Sequence, residues 1–270
     1  MSQKKREFMT IGQIDATGIR GPHEKELEDI GKNKIDTFKD IEFDELNKIV
    51  KHDLGGVLEN IGFNEDWTIT IEMFPDVVIH IAYTYFGDEF GDGIEAEFKF
   101  YFSGQKVSWV PGEDSATFID IIMDFLERRI KNTEVFEKNY DQHTELMEKV
   151  LKQRTDPFRV LKSKDKKALS DFLGAKIWQT AEGWRIKREL LPEIYTEIIW
   201  DHDSGLDISF SGENLENIGS YHIELLGIFT INHILRFITI EYETEELPDI
   251  CYVMFSRYFT KEKNWEHRRA

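Results

Sequence analysis

Trp67–Tyr85 reads WTITIEMFPDVVIHIAYTY, and Trp184–His202 reads WRIKRELLPEIYTEIIWDH. The two stretches align without a gap at an offset of 117 residues. They share the leading Trp, the Ile two places later (Ile69, Ile186), a Glu (Glu72, Glu189), a Pro (Pro75, Pro192) and a later Ile (Ile81, Ile198). Downstream, Phe102-Ser103-Gly104 matches Phe210-Ser211-Gly212 at an offset of 108, and an apolar, helix-like run follows each. This pattern predicts one small fold built twice.

Within the first stretch, Trp67, Ile69, Ile71 and Met73 alternate with polar residues, as expected of a strand with one buried face. Pro75 has no amide proton and breaks the ladder, so a second strand starts after it. Phe98, Phe100 and Phe102 mark another strand beyond a glycine-rich acidic loop, which is nine residues shorter in the second copy. Phe43, Leu46, Ile49 and Val50 recur at helical spacing ahead of the strands, and Phe118, Ile121, Ile122 and Phe125 do so after them. The expected fold class is α+β: two related domains, each a small antiparallel sheet packed with helices, joined by a long amphipathic connector helix. The expected boundaries are an N-terminal extension over 1–42, a first repeat over 43–130, a helical connector over 131–165 and a second repeat over 166–270. Within the extension, Met9–Ile14 reads as a short strand, and a weak helix after it is expected to be interrupted near Gly31. In the connector, Phe136, Tyr140, Met147 and Leu151 fall on one helical stripe, which could hold the two units apart or pair with a partner helix, or equally well pack onto its own domains. Ile238–Tyr242 and Cys251–Phe259 read as extra C-terminal strands.

The composition restricts the function. Fifty-two acidic residues against 34 basic ones give a formal net charge of −18. A surface so negative repels nucleic acid, so no direct nucleic-acid binding is expected. The single cysteine, Cys251, has no internal disulfide partner and fits a reducing compartment. No run approaches the roughly 18 consecutive apolar residues of a membrane span, and no apolar stretch follows Lys4-Lys5-Arg6 to make a signal peptide. A cytoplasmic protein without membrane association is expected. The eight histidines are scattered, and neither HExxH nor paired-cysteine zinc spacing occurs, so no metal and no cofactor is expected.

One constellation carries possible chemistry. Pro75-Asp76 opens one strand and Glu97-Phe98-Lys99 lies on a neighbouring one. These residues resemble the PD-(D/E)xK nuclease pattern. The resemblance implies that Asp76 and Glu97 hold Mg²⁺ while Lys99 helps activate water. The polar outer face of an antiparallel sheet accounts for Glu95, Glu97 and Lys99 equally well, and the second copy has no lysine at the matching place. The acidic loop residues Asp88, Glu89 and Asp92, and their counterparts Asp201, Asp203 and Asp207, suit Ca²⁺ by charge. Their spacing departs from the EF-hand order, and aspartate among glycines is what turns use.

A duplicated scaffold without a retained polar constellation suits binding better than catalysis. The leading expectation is a non-enzymatic, acidic interaction module. It would be an inhibitor of the kind deployed in phage–host conflict, occupying the basic, nucleic-acid-binding surface of a protein partner. Its contact residues would come from Asp88, Glu89, Asp92, Glu95, Glu241, Glu243, Glu245 and Glu246. The alternatives are the Mg-dependent nuclease and a self-assembling structural subunit. A homo-oligomer is expected.

Overall fold

A computed structural model of the chain describes residues 6–14, 21–87, 95–242 and 244–255. The fold is α+β. The described residues form helices α1 (Ile11–Ile14), α2 (Gly21–Phe38) and α3 (Phe43–His52), strands β1 (Val57–Glu59), β2 (Trp67–Phe74), β3 (Val77–Tyr85) and β4 (Ala96–Ser103), and helix α4 (Gly112–Lys131). Helices α5 (Glu145–Arg154) and α6 (Lys166–Leu173), strands β5 (Ala175–Gln179), β6 (Gly183–Leu191), β7 (Ile194–Asp201) and β8 (Gly205–Ser211), and helices α7 (Ser220–Glu241) and α8 (Asp249–Met254) follow. Internal contacts divide the chain into two compact units, Met1–Glu134 and Val135–Ala270.

Each unit holds one four-stranded antiparallel sheet in sequential order, β1-β2-β3-β4 and β5-β6-β7-β8. The duplication read from the sequence extends to backbone detail. Trp67 pairs with Tyr83 and Trp184 with Trp200, each exactly 117 residues apart between copies. The register shifts between Glu72 and Phe74 in one sheet and between Glu189 and Leu191 in the other. After each proline the turn residue is left-handed, with φ of 65° at Asp76 and 60° at Glu193. The Glu72 and Glu189 carboxylates each accept the amide hydrogen of that residue, at 3.1 and 3.0 Å, which steadies an otherwise disfavoured conformation. Gly104 and Gly212 then pass directly over the Asp76 and Glu193 carbonyls, so each hairpin is closed by the same glycine contact.

The repeat is one helix longer than its sequence signal. In the first unit α2 packs on β4 and α4; in the second α5 packs on β8 and α7. The expected extension therefore contains the first helix of copy one, and the expected connector contains the first helix of copy two. Gly31 does not interrupt α2. A Cβ there would lie 3.1 Å from the Phe98 Cβ, so the glycine admits close helix–sheet packing. Lys34 fastens α2 to α4 through Asp124 and Glu127, and Thr37 adds a 2.9 Å hydrogen bond to Glu127. Met9 makes a single β-bridge, and the residues after it turn into α1, so the short strand expected over Met9–Ile14 is reduced to that bridge.

The continuous connector helix does not form. Left-handed Asn132 (φ 49°) ends α4, and the chain between 135 and 144 is irregular. Its polar groups are held by the second unit: Glu137 accepts from the Ser220 amide at 2.9 Å, and the Tyr140 hydroxyl donates to the Ile218 carbonyl at 2.8 Å. Thr144 caps α5, and buried Glu224 of α7 accepts from its backbone amide and its hydroxyl. The expected C-terminal strands are helical up to Glu241 and from Cys251 to Met254. The β-branched run Ile238-Thr239-Ile240 continues α7 because core burial outweighs strand propensity, and Cys251 lies in α8. Residues 256–259 lie outside the described set.

By length and composition α7 could cross a membrane, but 94% of its apolar window is buried inside the protein. It is the core helix of the second unit. Its threonine hydroxyls are satisfied within the helix: Thr230 donates to the Leu226 carbonyl at 3.0 Å and Thr239 to the Leu235 carbonyl at 2.7 Å. Gly227 lies where any Cβ would strike Ile208 and Phe210 of β8.

Candidate functional site

Alternation sends Trp67, Ile69, Ile71, Tyr83, Phe98 and Phe100 to the inner face of the first sheet, beneath α2. Phe38 of α2 meets Trp67 and Phe98 there, at ring separations of 5.9 and 5.2 Å. Both repeat tryptophans, Trp67 and Trp184, are buried core anchors. The opposite, outer face carries Glu97, Lys99, Tyr101 and Ser103 of β4 beside Thr84, Ala82, His80 and Val78 of β3.

Glu97 and Lys99 sit on that outer face and form an ion pair at 2.5 Å. The pair raises the lysine pKa, chiefly through the hydrogen bond to Glu97. Asp76 is at the other end of the sheet, in the β2–β3 turn, where Lys106 lies 3.4 Å from it. Seven residues of β3 lie between Asp76 and Thr84, the partner of Glu97, a span of roughly 25 Å for an extended chain. The two acids that the nuclease pattern needs on one metal are thus not brought together. Among the described residues no group of three acidic, histidine or cysteine side chains is placed to hold a metal ion.

Asp88, Glu89, Asp92 and Glu243 lie outside the described residues. In the second copy, the Asp201 carboxylate accepts the amides of Asp203 (2.8 Å) and Ser204 (3.1 Å), which holds its pKa below the ordinary aspartate value. This is turn chemistry. Glu241 ends α7, Glu245 is exposed, and Glu246 pairs with Lys162 at 3.1 Å. Of the proposed assembly stripe, Met147 and Leu151 are buried within their own unit, Tyr140 is half-buried, and Phe136 is 94% exposed.

Glu95 and Glu97 do converge with other acids. They line a groove of about 640 Å³ whose other wall is Glu28, Lys32 and Asp36 of α2, with Ile35, Ala96 and Phe98 between the walls. Four carboxylates line the groove, and three lysines pair with them. Lys32 lies 3.6 Å from Glu28, Lys99 is on Glu97, and Lys39 hydrogen-bonds Asp36 and holds its pKa down. The groove has an apolar floor and a net negative rim. Sequence spacing could not show it, because the α2 contribution comes from a helix whose apolar signal is weak.

A second polar arrangement sits at the other end of β4. His80 is fully buried, its Nδ1 2.8 Å from Thr70 Oγ1 and its Nε2 2.8 Å from Ser103 Oγ. Thr70 donates to Glu59 at 2.7 Å, so its oxygen accepts from Nδ1–H, and Ser103 donates to Nε2. Glu59 also pairs with Arg6. Burial, and then the nearby Arg6 charge, push the His80 pKa down to about 4, with Glu59 opposing. The imidazole is therefore neutral. The Phe8 ring stands edge-on to it at 5.0 Å, and Phe63 and Tyr101 stack beside Phe8 at 4.6 Å. Only the sheet register joins these residues, which are scattered from position 6 to 103.

Phe63 is held by its loop. The Glu65 carboxylate accepts the amides of Ile61, Gly62 and Phe63 and the Thr68 hydroxyl. Burial works against that charge, but the amides outweigh it and keep the carboxyl below its ordinary range. Glu65→Ala leaves those donors without an acceptor and should cost about 2–3 kcal/mol. Thermal denaturation would show it, and Glu65→Gln should recover part of the loss.

No protein-family model, no curated protein and no solved structure matches this chain, so its fold and its site stand on their own geometry.

Proposed function

We propose that this chain is an acidic protein-interaction module, and that its partner presents a basic surface of the kind that binds nucleic acid. The groove between α2 and β4 is the observation that carries this reading: carboxylates of Glu28, Asp36, Glu95 and Glu97 rim an apolar floor. Such a groove suits a segment that pairs lysine or arginine with an apolar side chain. The rim charges steer the encounter, and the floor removes apolar surface from water. The net charge of −18 extends the attraction beyond the contact itself. A partner so engaged would have its nucleic-acid-binding surface covered, which is an inhibitory outcome.

The reading is tested by reversing charge at the groove. The double variant Glu95→Lys, Glu97→Lys should retain the fold, since Glu95 is exposed and Glu97 sits on the outer sheet face. It should lose at least tenfold in affinity for the partner captured from native cells. Wild-type binding should weaken steeply between low and physiological salt. A partner retained equally by both proteins, with no salt dependence, would refute the reading.

A further inference from the structure

Arg6–Met9 crosses the outer face of the first sheet, from Met9 at the edge of β4, past Phe8 over His80 of β3, to Arg6 beside Glu59 of β1. Met9 and Phe102 exchange backbone hydrogen bonds of 2.8 Å in both directions, Phe8 covers His80, and Arg6 reaches Glu59. Two observations set this strap apart from the frame of the fold. First, the second unit builds the same four strands without one. Its sheet ends at β8, and the Met9–Phe102 bridge has no counterpart among the described residues. Lys187, Glu197 and Ser211 stand where Thr70, His80 and Ser103 stand in the first unit. Second, the strap is lightly held. It has one bridging residue pair, one ring, and one ion pair whose arginine side chain is 51% exposed.

We propose that the strap fills a strand-docking groove, and that the exchangeable occupant of this groove is an extended segment of a partner protein with a basic residue two places before an aromatic one, as Arg6 precedes Phe8. Three features of the groove read such a segment. The Phe102 backbone supplies one donor and one acceptor for strand addition. Phe63, Tyr101 and His80 form an aromatic slot. Glu59 supplies the anion, spaced to meet the basic side chain while Phe8 is in the slot. The strap is then an internal competitor that sets how strongly an outside segment must bind. The groove is distinct from the acidic one, which lies at the opposite end of β4, and it stands or falls without Glu95 and Glu97.

The test uses the full chain and a fluorescein-labelled peptide of residues 4–12 as the probe. The double variant Phe8→Ala, Met9→Pro removes the covering ring and one bridge donor. It should bind the peptide at least tenfold more tightly than wild type does. A peptide carrying Phe8→Ala should lose that gain, and Glu59→Gln in the receptor should weaken binding severalfold and flatten its salt dependence. Equal binding to wild type and variant, or no binding to a variant that keeps its circular dichroism, overturns the proposal. Should the variant not fold, amide exchange on wild type decides the matter. The Phe102 amide must exchange well ahead of the interior β3 amides, and exchange only together with them would mean that the strap does not leave.

Discussion

Gly212→Ala and Gly104→Ala should each destabilise their unit by at least about 3 kcal/mol, the range reached when backbone strain and steric overlap act together. Both glycines have left-handed φ values, 134° and 113°. A Cβ would lie 1.9 Å from the Glu193 carbonyl oxygen in one case and 2.1 Å from the Asp76 oxygen in the other. No rotation of a flexible side chain relieves such a contact, because the obstacle is the main chain of the facing turn. Gly62→Ala is the control. Its φ is 92°, but nothing lies within 4 Å of the added carbon, so only the conformational penalty of about 1–2 kcal/mol is expected. Urea denaturation gives the ordering, and amide exchange in β3 and β7 assigns each loss to its sheet. Equal costs at Gly62, Gly104 and Gly212 would mean that the turn contact does not constrain the fold.

Lowering the pH from 6.5 towards 4 should remove about 3 kcal/mol of stability from the first unit. Burial holds the folded His80 pKa at about 4, against 6.5 for the free side chain. Between these values the unfolded chain takes up a proton that the folded chain refuses, so stability falls as the pH falls through that window. Below about 4 both forms are protonated and the contribution levels off. The 2.5-unit gap sets the size, at about 1.4 kcal/mol per unit. Glu127 acts lower down. Burial raises its pKa, but hydrogen bonds from Lys131, Lys34 and Thr37 prevail and bring it to about 2. Its contribution is complete above about 4.5 and is lost as the pH falls through 2. The two windows barely overlap. His80→Gln should therefore flatten the stability profile between pH 6.5 and 4 and leave the more acidic limb unchanged. A wild-type profile already flat across the upper window would show that His80 takes up its proton in the folded state.

The residues that made the fold legible are those with positional meaning. Pro75 and Pro192 mark where a ladder must stop, Gly104 and Gly212 where only glycine fits, and Trp67 and Trp184 where a strand turns inward. The helices that begin each repeat were obscured because they bury few large side chains. Leu27, Ile30 and Phe38 serve α2, and Met147, Val150 and Leu151 serve α5. The Phe136–Leu151 spacing mimicked one long helix, although Phe136 and Tyr140 lie in an irregular segment and only Met147 and Leu151 belong to α5. At the C-terminus, β-branched residues imitated a strand within a buried helix. The acidic groove was half visible, since Glu95, Glu97 and Lys99 stood out by type while Glu28 and Asp36 joined them only through packing. The His80 chain could not be read at all, because its members meet only when four strands fall into register.

Identical hairpin corners in the two units accompany wholly different outer faces: an imidazole sealed under a phenylalanine in one, and Arg185, Lys187 and Glu197 in the other. The corners are fixed by steric necessity, whereas nothing in the frame dictates what a sheet shows on its far side. A doubled fold of this design can therefore keep its architecture while the outer face of each half changes independently. Ancestry in such a lineage should be sought in the proline-to-glycine spacing of the turns and not in the chemistry between them.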